Sequence, residues 1–479
     1  MRRVFNRFSR PESPDLESGI LTLSQTSSMN GVYGSSLAST FLRDAAGGAD
    51  SVDVITIGDS NTGYSYLGAG GGGGGWTRAW LRNMNAFGIQ TYASPLMPLM
   101  ANSGVTLTTQ TVREESGSFT TLAGYFSNVL APYTGVQRGS TAGPADVTNM
   151  AVPATTFLPH ALTGFDYCYV ASGASAQTFS QLNGTYPGGA EPSPALPTWN
   201  QPGTALRYRV THVQSSTSGG SLNLTAYRVT SGSYFSLATA SASTYNASGY
   251  VRTASDMAFT MPSTSPASAI IFGWNYIGFA TGPAHVLYDC VYKVTKGCAV
   301  NQLHYGSGQS SATISGVITG STASSRTFLR TYFSEIVARQ IAAGGSGRVI
   351  IWINSGVNSA VGGYSFVGYM DAMIATLTAE WSAAGFDSSK LAFVVSATHP
   401  LDGYSSASEA LLAEDRQWLN SWAPANRNVT ALDLQQCLSG PQLTAAGYYT
   451  GAGVGEVHLT QDGYNAVMSI AMQKLLSKP

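Results

Sequence analysis

The regular order of strands and helices along the carboxyl-terminal part of the chain is the feature that most constrains its fold. Apolar strand patterns alternate there with helical patterns, which predicts strands at 299–303, 348–354, 391–397 and 429–434 and helices at 326–342, 366–383, 407–422 and 462–476. One more unit lies near the amino terminus, where the run VDVITI from Val52 ends in a Gly-Asp-Ser turn and a helical pattern follows from Trp76. Strands alternating with helices of this length predict a parallel sheet covered on both faces.

The five strands together predict a flavodoxin-like, three-layer α/β/α sandwich with a five-stranded parallel sheet, formed by residues 51–105 and 298–479. Residues 106–297 separate its two parts and carry no helical pattern. Short runs of alternating apolar and polar residues occur there instead, such as LRYRVTHV and SLNLTAYRV, separated by Gly, Ser, Asn and Pro. This pattern is typical of an antiparallel β-sandwich. We therefore predict an inserted, jelly-roll-like domain that is a candidate carbohydrate-binding module.

Residues 1–50 form a polar, Ser-rich segment with little periodicity. Segments of this composition seldom fold alone, so we predict an N-terminal arm that anchors the chain in an assembly, such as a virion or a homo-oligomer. The basic start MRRVFNRF is followed by no apolar run of signal-peptide length, and no apolar stretch reaches the length that crosses a membrane. We expect neither classical secretion nor membrane insertion.

Charge and cysteine content exclude several kinds of partner. Charged residues make up 10% of the chain and the formal net charge is −1, so no basic field is available for nucleic acid or anionic lipid. The cysteines at positions 168, 290, 298 and 437 form neither a CxxC pair nor a metal-type spacing. We expect free thiols and a protein that uses no metal ion or other cofactor.

Ser60 is the candidate nucleophile. It follows a buried strand directly, in a tight turn before a helix, and such turns open into the crevice at the carboxyl ends of parallel strands. A serine hydroxyl is a poor nucleophile unless a base removes its proton. His458 suits this role, because an imidazole with a pKa of about 6.5 accepts a proton at neutral pH and can return it to the leaving group.

Four separated stretches resemble, in residue type and order, the signature blocks of the SGNH (GDSL-type) hydrolase superfamily: Gly58-Asp59-Ser60, Gly306-Ser307-Gly308, Gly356-Val357-Asn358, and His458-Leu459-Thr460 with Gly463-Tyr464 behind it. The resemblance implies a serine esterase. It also implies an oxyanion hole formed by the main-chain N–H groups of Ser60 and Gly308 and the side-chain amide of Asn358. Each such donor is worth roughly 3–4 kcal/mol to the transition state.

The third member of a catalytic triad is not at its usual place. The superfamily usually has an aspartate three residues before the histidine, and Gly455 stands there in this chain. Glu456 is the candidate acid that would orient the ring of His458, and Asp433 is a more distant one. A main-chain carbonyl is the third alternative, since the superfamily includes Ser–His dyads. The residues leave these alternatives open.

Three other features have structural as well as functional explanations. Asp59 is expected to support the turn by accepting hydrogen bonds from loop N–H groups. The run Gly70–Gly75 lacks the Lys-Ser/Thr end of a phosphate-binding loop, and we expect it to border the cleft. Aromatic residues of the inserted domain either stack on sugar rings or belong to its core: Tyr234, Tyr245, Trp274 and Tyr276.

An SGNH domain interrupted by a β-domain is similar to the carbohydrate deacetylases of bacteriophage tails. This likeness implies an esterase that removes O-acetyl or other short O-acyl groups from a surface polysaccharide through an acyl-serine intermediate, on a virion or outside the cell. The alternative is a virion attachment or structural protein whose hydrolase domain has lost activity, consistent with the missing aspartate. Retention of the nucleophile, the base and the oxyanion donors favours the enzyme.

Overall fold

The computed structural model describes most of the α/β part of the chain and separate pieces of the inserted region. The described residues are 31–62, 75–93, 112–113, 136–138, 168–170, 175–181, 203–214, 220–230, 233–248, 251–261, 269–277, 284–306, 310–319, 323–401, 405–450 and 457–479.

In chain order, the strands are β1 (Val32–Gly34), β2 (Val52–Asp59), β3 (Val112–Arg113), β4 (Val136–Arg138), β5 (Cys168–Val170), β6 (Ser175–Gln181), β7 (Ala205–Gln214), β8 (Ser221–Thr230), β9 (Ser233–Ser243), β10 (Val251–Thr260), β11 (Ala269–Ile277), β12 (Ala284–Tyr292), β13 (Cys298–Gly306), β14 (Val349–Ser355), β15 (Leu391–Ala397) and β16 (Val429–Leu432). The helices are α1 (Leu37–Ala46), α2 (Trp76–Ala86), α3 (Ser311–Thr319), α4 (Ala323–Ala342), α5 (Val357–Val361), α6 (Met370–Ala383), α7 (Ser406–Trp422), α8 (Gly440–Ala445) and α9 (Gln461–Ser477).

The central sheet of the α/β domain is mixed. Five parallel strands lie in the order β16-β15-β14-β2-β13, and β1 adds a sixth strand at the edge, antiparallel to β16. Numbered along the chain, the five parallel strands have the flavodoxin-like order. The prediction of a purely parallel, five-stranded sheet is therefore wrong by one strand, the antiparallel edge strand β1.

Residues 31–50 belong to this α/β domain, so the predicted boundary of the arm at residue 50 is wrong. β1 pairs with β16 from Val32 opposite Leu432 to Gly34 opposite Thr430. Helix α1 buries Phe41 and other apolar side chains against the sheet and α9. Residues 1–30 of the predicted arm lie outside the described residues.

The side chains of the sheet alternate between two apolar cores. On β2, which is buried along its whole length, Ile55 and Ile57 pack towards α3, α4 and α6, whereas Val54 packs towards α1, α2 and α9. On β14, Ile351 packs in the same core as Ile55, and Trp352 packs in the same core as Val54. Strands covered on both faces need apolar residues at successive positions, which explains the continuous apolar runs of the sequence.

The inserted region forms two further sheets, with strand orders β10-β7-β12-β5-β4 and β3-β6-β11-β8-β9. All described pairings within them are antiparallel except that of β3 with β6. Along β7, Leu206, Tyr208 and Val210 are buried while Arg207 and Arg209 between them are more exposed. This alternation is that of a strand with one face in a core, in agreement with the antiparallel domain predicted here.

The two ends of the insertion meet at the amino-terminal end of the central sheet. Ala93, just after α2, forms an antiparallel bridge with Tyr292 at the end of β12. The main-chain N–H of Lys293 donates to the carbonyl of Tyr92 at 2.7 Å, and the N–H of Tyr92 donates to the carbonyl of Cys298 at 2.8 Å. The chain therefore leaves and re-enters the α/β domain at neighbouring points.

A buried polar cluster lies beside this junction. The hydroxyl of Tyr92 donates to the carboxylate of Asp53 at 2.6 Å, and the guanidinium of Arg339 lies 2.7 Å from the same carboxylate. Asn301 also donates to Asp53, at 2.7 Å. Since Asp53 and Arg339 have no exposed surface, each needs these partners to offset its lost hydration.

The described cysteines Cys290, Cys298 and Cys437 are buried free thiols, as predicted. The side chain of Cys168 lies outside the described residues.

Within the described part of the chain, no helix combines the length and the apolar character needed to span a lipid bilayer.

Candidate active site

The turn after β2 holds Ser60 at the carboxyl end of the sheet. Asp59 ends β2, and Ser60 begins a short 3-10 helix that ends at Thr62. Gly58 allows this turn, because a Cβ atom there would lie 2.1 Å from the Thr62 hydroxyl oxygen and 2.2 Å from the main-chain oxygen of Asn354. A larger residue would push the turn away from β14. The side chain of Ser60 lies outside the described residues.

The strands on either side of β2 end at the same side of the sheet as the turn of Ser60. In the parallel register, the end of β2 pairs with Gly306 of β13 and with Asn354 of β14. Gly308 follows β13 closely but lies outside the described residues. Asn358 is in the first turn of α5, which begins after Gly356, a residue with a φ of 124° that glycine adopts without strain. Asn358 is partly buried.

A short antiparallel bridge fixes the main chain at His458. The bridge joins Tyr449 to Leu459, and the N–H of Thr450 donates to the carbonyl of His458 at 3.1 Å. Directly afterwards, the side-chain oxygen of Thr460 caps the amino terminus of α9. His458, which is partly buried, is therefore held in the last residues before α9.

A buried hydrogen bond joins this helix to the turn of the candidate nucleophile. Tyr464, in the first turn of α9, donates its hydroxyl to the side-chain oxygen of Asn61 at 2.5 Å. Asn61 is the residue after Ser60, and neither Asn61 nor Tyr464 has exposed surface. The ring of Tyr464 also packs edge-on against Trp76, with 4.7 Å between the ring centroids. The segments that carry Ser60 and His458 are therefore in direct contact.

Asp59 is buried directly before Ser60. Its Oδ1 atom accepts hydrogen bonds from the main-chain N–H and the side-chain amide of Asn61, at 3.0 and 3.3 Å. Burial raises the pKa of Asp59 to about 6, although the hydrogen bonds from Asn61 favour the charged form. Among the described residues, its Oδ2 atom has no hydrogen-bond partner. Asp59 therefore orients Asn61, which in turn contacts Tyr464.

A second histidine, His399, lies at this edge outside the sequence motifs. It follows β15 and is fully buried against Trp76 and Tyr464, with ring centroids 5.7 and 6.0 Å away. Its Nδ1 atom lies 3.1 Å from the hydroxyl oxygen of Thr398. The pKa of His399 is lowered to about 3, first by burial and then by its electrostatic interaction with His458. His399 is therefore neutral at ordinary pH and lies near the candidate base.

The two candidate acids differ in their surroundings. Glu456 lies outside the described residues. Asp433 accepts a hydrogen bond from the N–H of Gln435 at 3.1 Å, which caps a 3-10 helix after β16. Its carboxylate also lies 4.0 Å from the guanidinium of Arg416 on α7. These contacts give Asp433 a structural role at the end of β16.

The other predicted features are only partly described. Gly75 precedes the first residue of α2, and residues 70–74 lie outside the described residues. Of the aromatic residues proposed for sugar contact, Tyr245 has an exposed fraction of 52%. The side chains of the other three lie outside the described residues: Tyr234, Trp274 and Tyr276.

No model of a known protein family and no curated protein matches the sequence. Among solved structures, the chain is similar to a peptidoglycan O-acetylesterase, with 11% identity over 92% of this chain and 97% of that chain and a TM-score of 0.46. It is similar to a family two carbohydrate esterase from Clostridium thermocellum in complex with cellohexaose, with 10% identity over 71% of this chain and 97% of that chain and a TM-score of 0.25. It is also similar to the carbohydrate-binding module TmCBM61 in complex with β-1,4-galactotriose, with 9% identity over 34% of this chain and 84% of that chain and a TM-score of 0.20.

Proposed function

We propose that the protein is a serine esterase that removes O-acetyl or other short O-acyl groups from a polysaccharide, with Ser60 as nucleophile and His458 as general base. The observation that carries this proposal is the hydrogen bond between Tyr464 and Asn61, because it links the turn of Ser60 to the helix that begins after His458. The strand register supports it, since the carboxyl ends of β13, β2 and β14 meet at that turn.

In this reaction, His458 removes the proton of the Ser60 hydroxyl while the Oγ atom attacks the acyl carbonyl carbon. The oxyanion that forms is stabilised by the N–H groups of Ser60 and Gly308 and by the amide of Asn358. The bond between the acyl carbon and the sugar oxygen then breaks, and the imidazolium returns the proton to that oxygen. Water, deprotonated by His458, attacks the acyl-serine and releases the carboxylic acid and free Ser60.

The buried groups behind the site suit this mechanism. Because His399 stays neutral, the imidazolium formed on His458 during attack meets no second positive charge from that side. The line of hydrogen bonds from Asp59 through Asn61 to Tyr464 fixes the turn. A fixed nucleophile and base need little reorganisation in the transition state.

The substrate class rests on two features. The resemblance of the four motifs to the SGNH hydrolases favours an oxygen ester. The second feature is the inserted antiparallel domain, which gives the chain a further surface beside the esterase domain. A second surface suits a polymeric substrate, because contact at two places raises the effective concentration of acyl groups at the site.

The substitution Ser60→Ala tests the proposal. We expect it to abolish hydrolysis of p-nitrophenyl acetate and to prevent the mass increase that a fluorophosphonate causes in the wild-type protein. Ser421→Ala, which removes an exposed hydroxyl on α7, is the matched control and should keep both properties. Undiminished turnover by Ser60→Ala would overturn the assignment. A wild-type protein that neither hydrolyses the ester nor reacts with the inhibitor would favour an attachment or structural protein with an inactive hydrolase domain.

A further inference from the structure

The inserted domain has a polar cleft at the edge where its two sheets end. β10 is the outer strand of one sheet and β9 is the outer strand of the other. A cleft of about 370 Å³ lies between these strands and the adjoining parts of β7 and β8. This volume is within the range of small-molecule binding sites.

The lining of the cleft is rich in hydroxyl groups and includes one carboxylate. Its polar side chains include Gln214, Ser241, Ser243 and Ser255. Hydroxyl and amide groups both donate and accept hydrogen bonds, which matches the hydroxyl groups of sugars. The carboxylate of Asp256, also at the cleft, is already paired with Arg209 at 3.0 Å and with the Tyr292 hydroxyl at 3.2 Å. The cleft therefore offers no unpaired charge to an ionic ligand.

A buried histidine stands behind this lining. His212 is 1% exposed, and its Nε2 atom lies 3.1 Å from the hydroxyl oxygen of Ser255. Burial lowers the pKa of His212 to about 4, so that the ring is neutral at pH 7 and can accept at one nitrogen and donate at the other. Among the described residues, the Nδ1 atom has no partner. Its contact with Ser255 holds that hydroxyl group at the wall of the cleft.

An exposed aromatic ring stands beside the cleft. Tyr245 has an exposed fraction of 52%, and its main-chain N–H donates to the hydroxyl oxygen of Ser243 at 3.0 Å. A tyrosine ring combines an apolar face with a polar tip. The face suits the C–H groups of a sugar ring, while the neighbouring serines suit its hydroxyl groups.

We propose that the cleft between β9 and β10 binds a segment of a neutral polysaccharide chain. An extended peptide is the other chemistry that edge strands accept, through main-chain hydrogen bonds. Peptides bound in that way also need pockets for alternate side chains, whereas small residues such as Ala240 and Ala242 line this cleft. The proposal goes beyond the esterase reaction, because the cleft lies in the inserted domain and does not involve Ser60.

The test measures binding with the full-length Ser60→Ala variant, so that substrate is not consumed and a failure of the esterase assignment leaves the result unchanged. The migration of this variant is compared in native gels cast with xylan, β-glucan, galactan, mannan or dextran. We expect at least one of these neutral polysaccharides to retard it. Adding Ser241→Trp, which fills the cleft, should weaken that retardation by about tenfold or more in apparent Kd.

Ser236→Trp is the matched control, because it places the same side chain on another exposed serine of β9 outside the cleft, and it should bind normally. If circular dichroism shows that Ser241→Trp is unfolded, Gln214→Leu decides the question, since it removes the amide at nearly constant volume and should also weaken binding. Retardation by none of the polysaccharides, or equal retardation of the cleft and control variants, would overturn the proposal. Retardation in gels cast with casein that Ser241→Trp abolishes would assign the cleft to a polypeptide instead.

Discussion

Tyr464 donates its buried hydroxyl to Asn61, the residue next to Ser60. Asn61 itself donates two hydrogen bonds to Asp59, the residue before Ser60. The two neighbours of the candidate nucleophile are therefore bonded to each other, and one of them is bonded to the helix that follows His458. We expect the alignment of Ser60 with His458 to depend on these three side chains.

Removing the hydroxyl of Tyr464 should disturb this alignment. We expect Tyr464→Phe to lower kcat for p-nitrophenyl acetate by up to about tenfold with little change in KM, because a buried hydrogen bond contributes roughly 1 kcal/mol and one partner is left unsatisfied. The ring remains to pack against Trp76, so the fold should persist. Tyr448→Phe, a partly buried neighbour, is the control and should keep the wild-type kcat. Equal kcat values for both variants would show that the contact does not align the site.

The acid that orients His458 can be identified by comparing two carboxylates. We expect Glu456→Gln to lower kcat by at least about tenfold, because an imidazole in the wrong tautomer or orientation stabilises the transition state poorly. Asp433→Asn should have little effect, since an asparagine can still accept the hydrogen bond from Gln435. Steady-state kinetics of both variants makes the comparison. A nearly neutral Glu456→Gln would instead indicate a Ser–His dyad whose histidine is held by a main-chain carbonyl.

The raised pKa of Asp59 predicts a pH dependence of stability. The carboxyl group has a pKa of about 6 in the folded protein and about 4 in the unfolded chain, so below pH 4 it is protonated in both states. As the pH rises from about 4 to about 6, the unfolded chain loses this proton first, and the folded protein loses the stability that the protonated group contributed. Two pKa units correspond to about 3 kcal/mol. We therefore expect Asp59→Asn, which is neutral at every pH, to exceed the wild type in free energy of unfolding at pH 7 and to lose that advantage near pH 4. Urea unfolding at several pH values measures both. A difference that is constant with pH would contradict the raised pKa.

The buried histidines should not titrate in the physiological range. His399 and His212 have pKa values lowered to about 3 and about 4 by burial, so both remain neutral from pH 5 to pH 8. We expect their ring carbon resonances, in protein labelled with ¹³C-histidine and assigned from His399→Gln and His212→Gln, to stay constant over this interval. Movement of the His399 resonance near pH 6.5 would show that the ring is more hydrated than its packing against Trp76 indicates.

The elements with clear periodicity could be predicted from the sequence, and those fixed by distant contacts could not. β15 begins and ends at the predicted residues, Leu391 and Ala397. Helix α3 was not predicted, because its sequence SATISGVIT contains several residues of low helix propensity. Its helical form depends on burying Ile314 and Ile318 in the core.

The structure of the amino-terminal segment also could not be predicted from local sequence patterns. β1 has only three residues and gains its structure from pairing with β16, which leaves no periodicity to detect. Helix α1 carries apolar residues at Ala38, Phe41, Leu42 and Ala45, a spacing typical of an amphipathic helix, but it is short and follows a polar stretch. Association of the protein with a virion or another assembly stays a prediction.

Only residues within the sequence motifs could be proposed as site residues before the structure was known. The motifs give Ser60 and His458 as candidates. The sequence around Tyr464 gives no indication that its partner is Asn61, hundreds of positions earlier in the chain. His399 did carry a signal, because it follows β15 much as Ser60 follows β2, at the carboxyl end of a buried parallel strand. Packing against Trp76 and Tyr464 then determines that its ring is buried and neutral.

The junction of the insertion has a consequence for how the protein can change in evolution. Because Ala93 and Tyr292 lie opposite each other in a bridge, the intervening chain starts and finishes at one place, and the cost of closing a loop grows only slowly with its length. The inserted domain can therefore be lengthened, shortened or exchanged as a cassette while β2 and β13 keep their register. The junction lies at the amino-terminal end of the sheet, opposite the turn of Ser60, so changes within the inserted domain need not disturb that turn.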